Sequence, residues 1–268
     1  MRAGEELEQA LIDLERLRTD WDALAKRDAL WAILTDESKA DGGWDVAEFF
    51  STGEIEMATV MRCLDEVGCV PDAAGTALDF GCGVGRLTQA MARRFAACVG
   101  VDISEEMIRR AEALNQYAKC SYLTSLTERL LFASESFSFV YCNIVLQHMP
   151  RRLAVGYLRE FVRVLQPGGV LVFGVQDSFA AGDVASRVVR ARDVLRLRTR
   201  LKAALGRREG DMQMHLLAED EVRQAVRPAR VVDVRLTNTA AKDFNGRLVY
   251  LSETPRSGYV GKQYTCQK

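Results

Sequence analysis

With 268 residues, 48% hydrophobic and 27% charged, the chain can bury a sizeable core as one domain or as one domain plus an appendage. A formal net charge of −1 excludes a whole-molecule electrostatic footprint for nucleic acid, though not a local basic patch. No apolar run approaches the ~20 residues of a membrane span, and Met1-Arg2-Ala3-Gly4-Glu5-Glu6-Leu7-Glu8 is too acidic for a secretory or transit peptide, so a cytoplasmic location is expected.

In chain order, Leu7, Leu11, Leu14, Trp21 and Leu24 recur at helical spacing with charged residues between them, which predicts a helix over 4–28. Gly42-Gly43 breaks the pattern. Ile55, Val60, Met61, Leu64 and Val67 then resume a helical face up to Gly68. All three tryptophans (Trp21, Trp31, Trp44) lie in this front section, read as a helical cap over 1–70 that they anchor; the alternative is that they line a substrate pocket.

From Thr76 onward short apolar runs alternate with helical stretches, as in β-α-β units. Ala77-Leu78-Asp79-Phe80 reads as the first strand and Ala97-Cys98-Val99-Gly100-Val101 as the second, ending at Asp102. Ser104 can cap the next helix, with Glu105 and Glu106 in its first turn. Residues 119–123, 137–142 and 170–175 read as three further strands. A helix through Leu153, Tyr157, Phe161 and Val164 is stopped by Pro167-Gly168-Gly169. A cationic helical insertion follows at about 178–216, densest in arginine over 187–208. A short helix at 218–226 and two closing strands at 229–238 and 246–253 complete the reading of 71–268.

The seven cysteines are odd in number, scattered and contain no C-x-x-C pair, so neither a disulfide framework nor a metal site is expected. They read as small buried hydrophobes in a reduced compartment.

The chemistry sits in Asp79-Phe80-Gly81-Cys82-Gly83-Val84-Gly85. Three alternate glycines after a buried strand turn the backbone sharply and admit a ligand closely. The spacing is neither G-x-G-x-x-G nor a P-loop, and Asp79 would repel a phosphate; a ligand with a cationic amine or sulfonium fits better. Asp102, about 20 residues beyond the loop, is placed to accept ribose hydroxyls. An adenosine-like ribose with a cationic, phosphate-free remainder describes S-adenosylmethionine.

The stretches Leu78-Asp79-Phe80-Gly81-Cys82-Gly83-Val84-Gly85-Arg86, Gly100-Val101-Asp102-Ile103-Ser104, Val145-Leu146-Gln147-His148 and Leu165-Gln166-Pro167-Gly168-Gly169 resemble the ordered motifs of class I (Rossmann-like) methyltransferases, over residues 76–176. That resemblance implies an α/β fold with a seven-stranded, mostly parallel sheet whose last strand is antiparallel. It implies that Asp79 and the Gly81 and Gly83 backbone meet the methionyl part of the donor, Asp102 the ribose, Ile103 one adenine face, with Met107 nearby. Cys82, Arg86 and Asn143 complete the expected donor wall. The family often has an acid after the third strand; here Thr124-Ser125-Leu126 stands in its place, so adenine reading falls to backbone groups or to Ser125 and Leu126. Ser138 also replaces an Asp that the family pattern usually shows.

His148, after the fourth strand, and His215, just after the insertion, are the candidate general bases; for each, a purely structural hydrogen-bonding role is the alternative. Cys142 reads as bordering the donor or as core, and Tyr250 as facing substrate or as packing. The expected function is methyl transfer to a small-molecule oxygen. Nitrogen or carbon acceptors, and a non-catalytic donor-binding scaffold, are the alternatives. A nucleic-acid or protein acceptor is disfavoured by the near-neutral charge and by Asn143-Ile144-Val145-Leu146 in place of an N-P-P-Y-type motif. The insertion reads as a lid, or as a surface for an anionic substrate or membrane, and the N-terminal helix as a homodimer contact.

Overall fold

The computed structural model describes residues 2–180, 212–241 and 244–268; the arginine-rich stretch 187–208 and the side chain of Leu7 lie outside the described residues. Helix α1 (Arg2–Ile33) bends at Asp28, which leaves helical geometry at φ −160° and ψ 93°. Asp28 also accepts hydrogen bonds from the Trp31 and Gly42 backbone amides, tying the bend to the turn that follows. Helix α2 (Val46–Glu66) begins at Asp45, whose carboxylate caps the Glu48 amide at 2.9 Å. It buries Phe49, Met57, Val60, Met61 and Leu64, with Val67 packed at the edge of the same core, so the inward face is the expected one except at Ile55, which stays exposed.

The sheet forms in order β3-β2-β1-β4-β5-β8-β6-β7, from β1 (Thr76–Phe80), β2 (Ala97–Asp102), β3 (Cys120–Thr124), β4 (Phe137–Cys142), β5 (Leu165–Phe179), β6 (Arg230–Thr237), β7 (Tyr250–Leu251) and β8 (Tyr259–Gln267). The first five strands are parallel, and β8 runs antiparallel between β5 and β6. The α/β class and mostly parallel sheet are as expected, with eight strands in place of seven. The expected closing strand over 246–253 shrinks to the two-residue edge β7, because Gly246 turns with φ +83° and the chain leaves the sheet before Pro255. The strand that zips onto β5 is β8, which the sequence reading missed.

The apolar runs of β1, β4 and β5 are continuous because both faces are covered. Leu78, Phe80, Val140, Cys142, Leu171 and Phe173 pack with α5 (Arg151–Val164) and α6 (Glu219–Ala225). Their alternate neighbours Ala77, Phe139, Tyr141, Val170 and Val172 pack with α2 and α3 (Arg86–Ala92). Helix α4 (Glu105–Leu114) covers β2 and β3, capped by Ser104 Oγ accepting from the Met107 amide. Leu14 of α1 enters the main core, and Leu24, Ala25 and Ala29 pack with Trp44, Phe49 and Met107; of the stripe expected for helix pairing, Leu14 and Trp21 pack within the chain and Leu11 is exposed. All seven cysteines are free, and Cys142 is core. No helix among the described residues is long and apolar enough to cross a membrane.

Candidate active site

Helices α3 and α5, which follow the neighbouring strands β1 and β4, lie on opposite faces of the sheet, and this opens a crevice beyond the carboxyl ends of the two strands. The glycine loop floors it. Gly81, Gly83 and Gly85 have φ +75°, +53° and +83°, which only glycine adopts readily; a Cβ on Gly81 would come within 2.3 Å of Val145. The Gly81 and Cys82 amides donate to the Val101 carbonyl at 2.7 and 3.0 Å, pinning the loop to the end of β2.

At that end Asp102 accepts from the Gly83 amide through one carboxylate oxygen and from the Ser104 amide through the other, each at 2.9 Å. Each oxygen retains acceptor capacity for a hydroxyl pair. Burial pushes the Asp102 carboxyl up in pKa, opposed by those two N–H bonds. A cavity of about 840 Å³ opens above, within the range of small-molecule sites. Of the expected donor wall it is lined by Gly81, Cys82, Gly83, Arg86, Asp102, Ile103, Met107, Ser125 and Asn143; Leu126 does not border it.

Asp79 is also set back. It is buried beneath the loop with Thr88 Oγ1 donating to it at 2.6 Å, and burial raises its pKa to about 7. Ser138, where an acid was expected, donates to the Asp72 carbonyl and buttresses the loop before β1.

Of the two histidines, His148 lines the cavity and His215 does not. His215 donates its backbone amide to the Gln147 carbonyl and borders a separate small recess behind the 146–148 turn. His148 Nδ1 lies 3.0 Å from the Gln213 carbonyl; a carbonyl only accepts, so Nδ1 carries the proton and Nε2 the lone pair. Burial first, then the neighbouring His215, lowers its pKa to about 4 against the opposing Gln213 hydrogen bond, and the ring meets Trp21 edge-on at 5.4 Å. Trp21 therefore lines the pocket, whereas Trp44 is buried as an anchor with its Nε1 donating to the Leu34 carbonyl. Tyr250 donates to Gln263 within the sheet and is packing.

Two groups escaped the sequence reading. One is the far wall from distant segments: Phe179, Met212, Met214, Tyr259 and Arg256, which carry no motif. The other is Glu56 of α2, fully buried and bonded to Arg86 at 2.7 Å and to Tyr141 and Asn143 at 2.8 Å each. An acid on an otherwise apolar helical face was the available signal.

Strand order, glycine loop and the acid ending β2 together give the Rossmann-like α/β arrangement that class I methyltransferases also have. Residues 78–173 match the family described as "Methyltransferase domain". The chain is 34% identical over 141 residues to the ubiquinone biosynthesis O-methyltransferase of Hahella chejuensis, covering 51% of this chain and 57% of that protein. It is likewise 34% identical over 140 residues to the ubiquinone biosynthesis O-methyltransferase of Neisseria meningitidis serogroup A, covering 50% and 57%. The chain thus spans a little over half the length of these curated relatives. Among solved structures it resembles the magnesium protoporphyrin IX methyltransferase of Synechocystis PCC 6803, solved with bound SAH, at TM-score 0.52 and 18% identity over 89% of this chain and 93% of that one. At that identity the likeness establishes the fold alone.

Proposed function

We propose that the protein is an S-adenosylmethionine-dependent methyltransferase acting on a hydroxyl of a small, largely apolar acceptor. The observation that carries this reading is the single cavity bordered at once by the glycine loop, Asp102 and the neutral His148. Asp102 suits the ribose diol, Ile103 and Met107 the adenine, and Ser125 its edge; Arg86, on the same wall, has a buried Nε–H with no partner, as a missing anionic acceptor would leave it. When bound, the donor supplies a sulfonium methyl for in-line displacement, so rate depends chiefly on how the chain aligns the acceptor.

Trp21, Tyr157, Phe179, Met212 and Met214 suit a flat or greasy acceptor body. His148 Nε2, unprotonated at neutral pH, accepts the hydrogen bond of the acceptor hydroxyl and directs its oxygen lone pair toward the methyl. A cationic amine acceptor is disfavoured: among the described lining residues the sole acid is Asp102, which the ribose claims, whereas Arg86 and Arg256 are cations. The oxygen chemistry named for the curated relatives agrees with this.

Calorimetry with S-adenosylhomocysteine against NAD, followed by turnover on flat phenols and on amines, tests the reading. Binding of the first alone and methylation of phenols is the expected result. Preference for NAD, or methylation confined to amines, would sink it. The variant H148A should keep donor affinity and lose about 10²-fold or more in kcat if His148 handles the proton.

A further inference from the structure

A buried and multiply bonded polar cluster lies behind the donor wall. Glu56 receives hydrogen bonds from Arg86 at one carboxylate oxygen and from both the Tyr141 hydroxyl and Asn143 Nδ2 at the other. The Arg86 guanidinium is held a second time by Thr52 Oγ1 at 3.3 Å, and Gln263 Nε2 in turn reaches the Tyr141 hydroxyl at 3.4 Å. Arg86 is 3% exposed and Glu56 wholly buried. Such a pair gives little net stability over an apolar substitute of equal volume, because desolvating two charges offsets their attraction. Its placement therefore calls for another account.

Arg86 and Asn143 are the two members that border the cavity, and both are gripped from behind by the same carboxylate. With one terminal nitrogen on Glu56 and the other on Thr52, the planar fork cannot swing, and the direction of its Nε–H is fixed. That Nε–H is the donor that stays buried without a partner. The acid expected to meet the amino-acid end of the donor, Asp79, lies beneath the loop and is bonded to Thr88.

We infer that Glu56 is a positioning residue for the amino-acid end of the methyl donor. It orients Arg86 to receive the donor's carboxylate and holds Asn143 at the same end, so α2 belongs to the donor site. This rests on the donor reading above. Glu56 acts through Arg86 and Asn143, and its effect is confined to ligands that carry the amino-acid group.

The test is a pair of calorimetric titrations on the full chain. S-adenosylhomocysteine carries the amino-acid group; 5′-methylthioadenosine keeps adenosine and sulfur and lacks it. The wild type should bind the first more tightly. In E56Q and R86K, affinity for S-adenosylhomocysteine should fall about 10–100-fold, the effect of losing a charge-assisted hydrogen bond, while affinity for 5′-methylthioadenosine moves less than about threefold. Equal losses for both ligands, no loss for either, or equal wild-type affinities would overturn the assignment. If E56Q does not fold by thermal denaturation, R86K and E56D carry the same comparison. Failure of the wild type to bind either ligand would instead overturn the donor reading.

Discussion

Burial favours the uncharged form of both His148 and Asp79, and so moves their pKa values in opposite directions. An imidazole with its pKa lowered to about 4 protonates more readily in the unfolded chain than in place. The stability its neutral form contributes is whole above the ordinary value near 6.5 and is lost as pH falls toward 4. Wild type should therefore lose up to about 3 kcal/mol between pH 6.5 and 4 that H148Q keeps, since glutamine can still donate to the Gln213 carbonyl. Parallel melting curves across that range decide it, and identical slopes would refute it. For Asp79 the carboxyl is raised from 3.8 to about 7. Its protonated form contributes stability that is complete below about 4 and lost as pH rises through 7. D79N, whose carbonyl can still accept from Thr88, should accordingly melt above wild type at pH 8.5, by on the order of 2–4 kcal/mol, with the difference gone near pH 4. A constant offset at all pH values would mean packing and not charge.

Among the elements, α1 matters more than its surface character suggests. Asp22, in its middle, accepts from Ser104 Oγ at 2.5 Å and from the Glu106 amide at 3.3 Å, fastening α1 to the start of α4 beside Asp102. D22A should cost about 1–2 kcal/mol of stability and raise the KM for donor with little change in kcat, read from denaturant titration and steady-state rates. A lowered kcat at unchanged KM would contradict that link. The elements that were legible in the sequence are those whose signal is local: β1 through β5 as apolar runs, the Ser104 cap, and glycines forced into positive φ. β8 was illegible because its polar residues are paired within the fold. Lys262 bonds Asp177 and Glu219, and Gln263 bonds Tyr141 and Tyr250, so a strand between β5 and β6 carries residues that read as surface. Glu56 was hidden for the same reason, since its partners stand 30, 85 and 87 positions away.

Across the whole molecule, the cavity joins parts that the sequence keeps far apart: α1, the carboxyl edge of the sheet, residues 237–241 and residues 255–259. A ligand touching all of them binds only when they are assembled, so it must stabilise the assembly as well as the loop it rests on. At a concentration one hundred times its Kd, S-adenosylhomocysteine should add about 2.7 kcal/mol to unfolding. The distribution of that gain is the sharper measurement. Amide exchange should slow in the glycine loop and around Ile33 of α1, because Ile33 lies where a Cβ on Gly83 would come within 2.5 Å. The stretch 255–259, on the side given to the acceptor, should respond to donor product weakly and to an added acceptor strongly. Uniform protection of both walls by the donor product alone would mean that the two halves of the cavity are not separate sites.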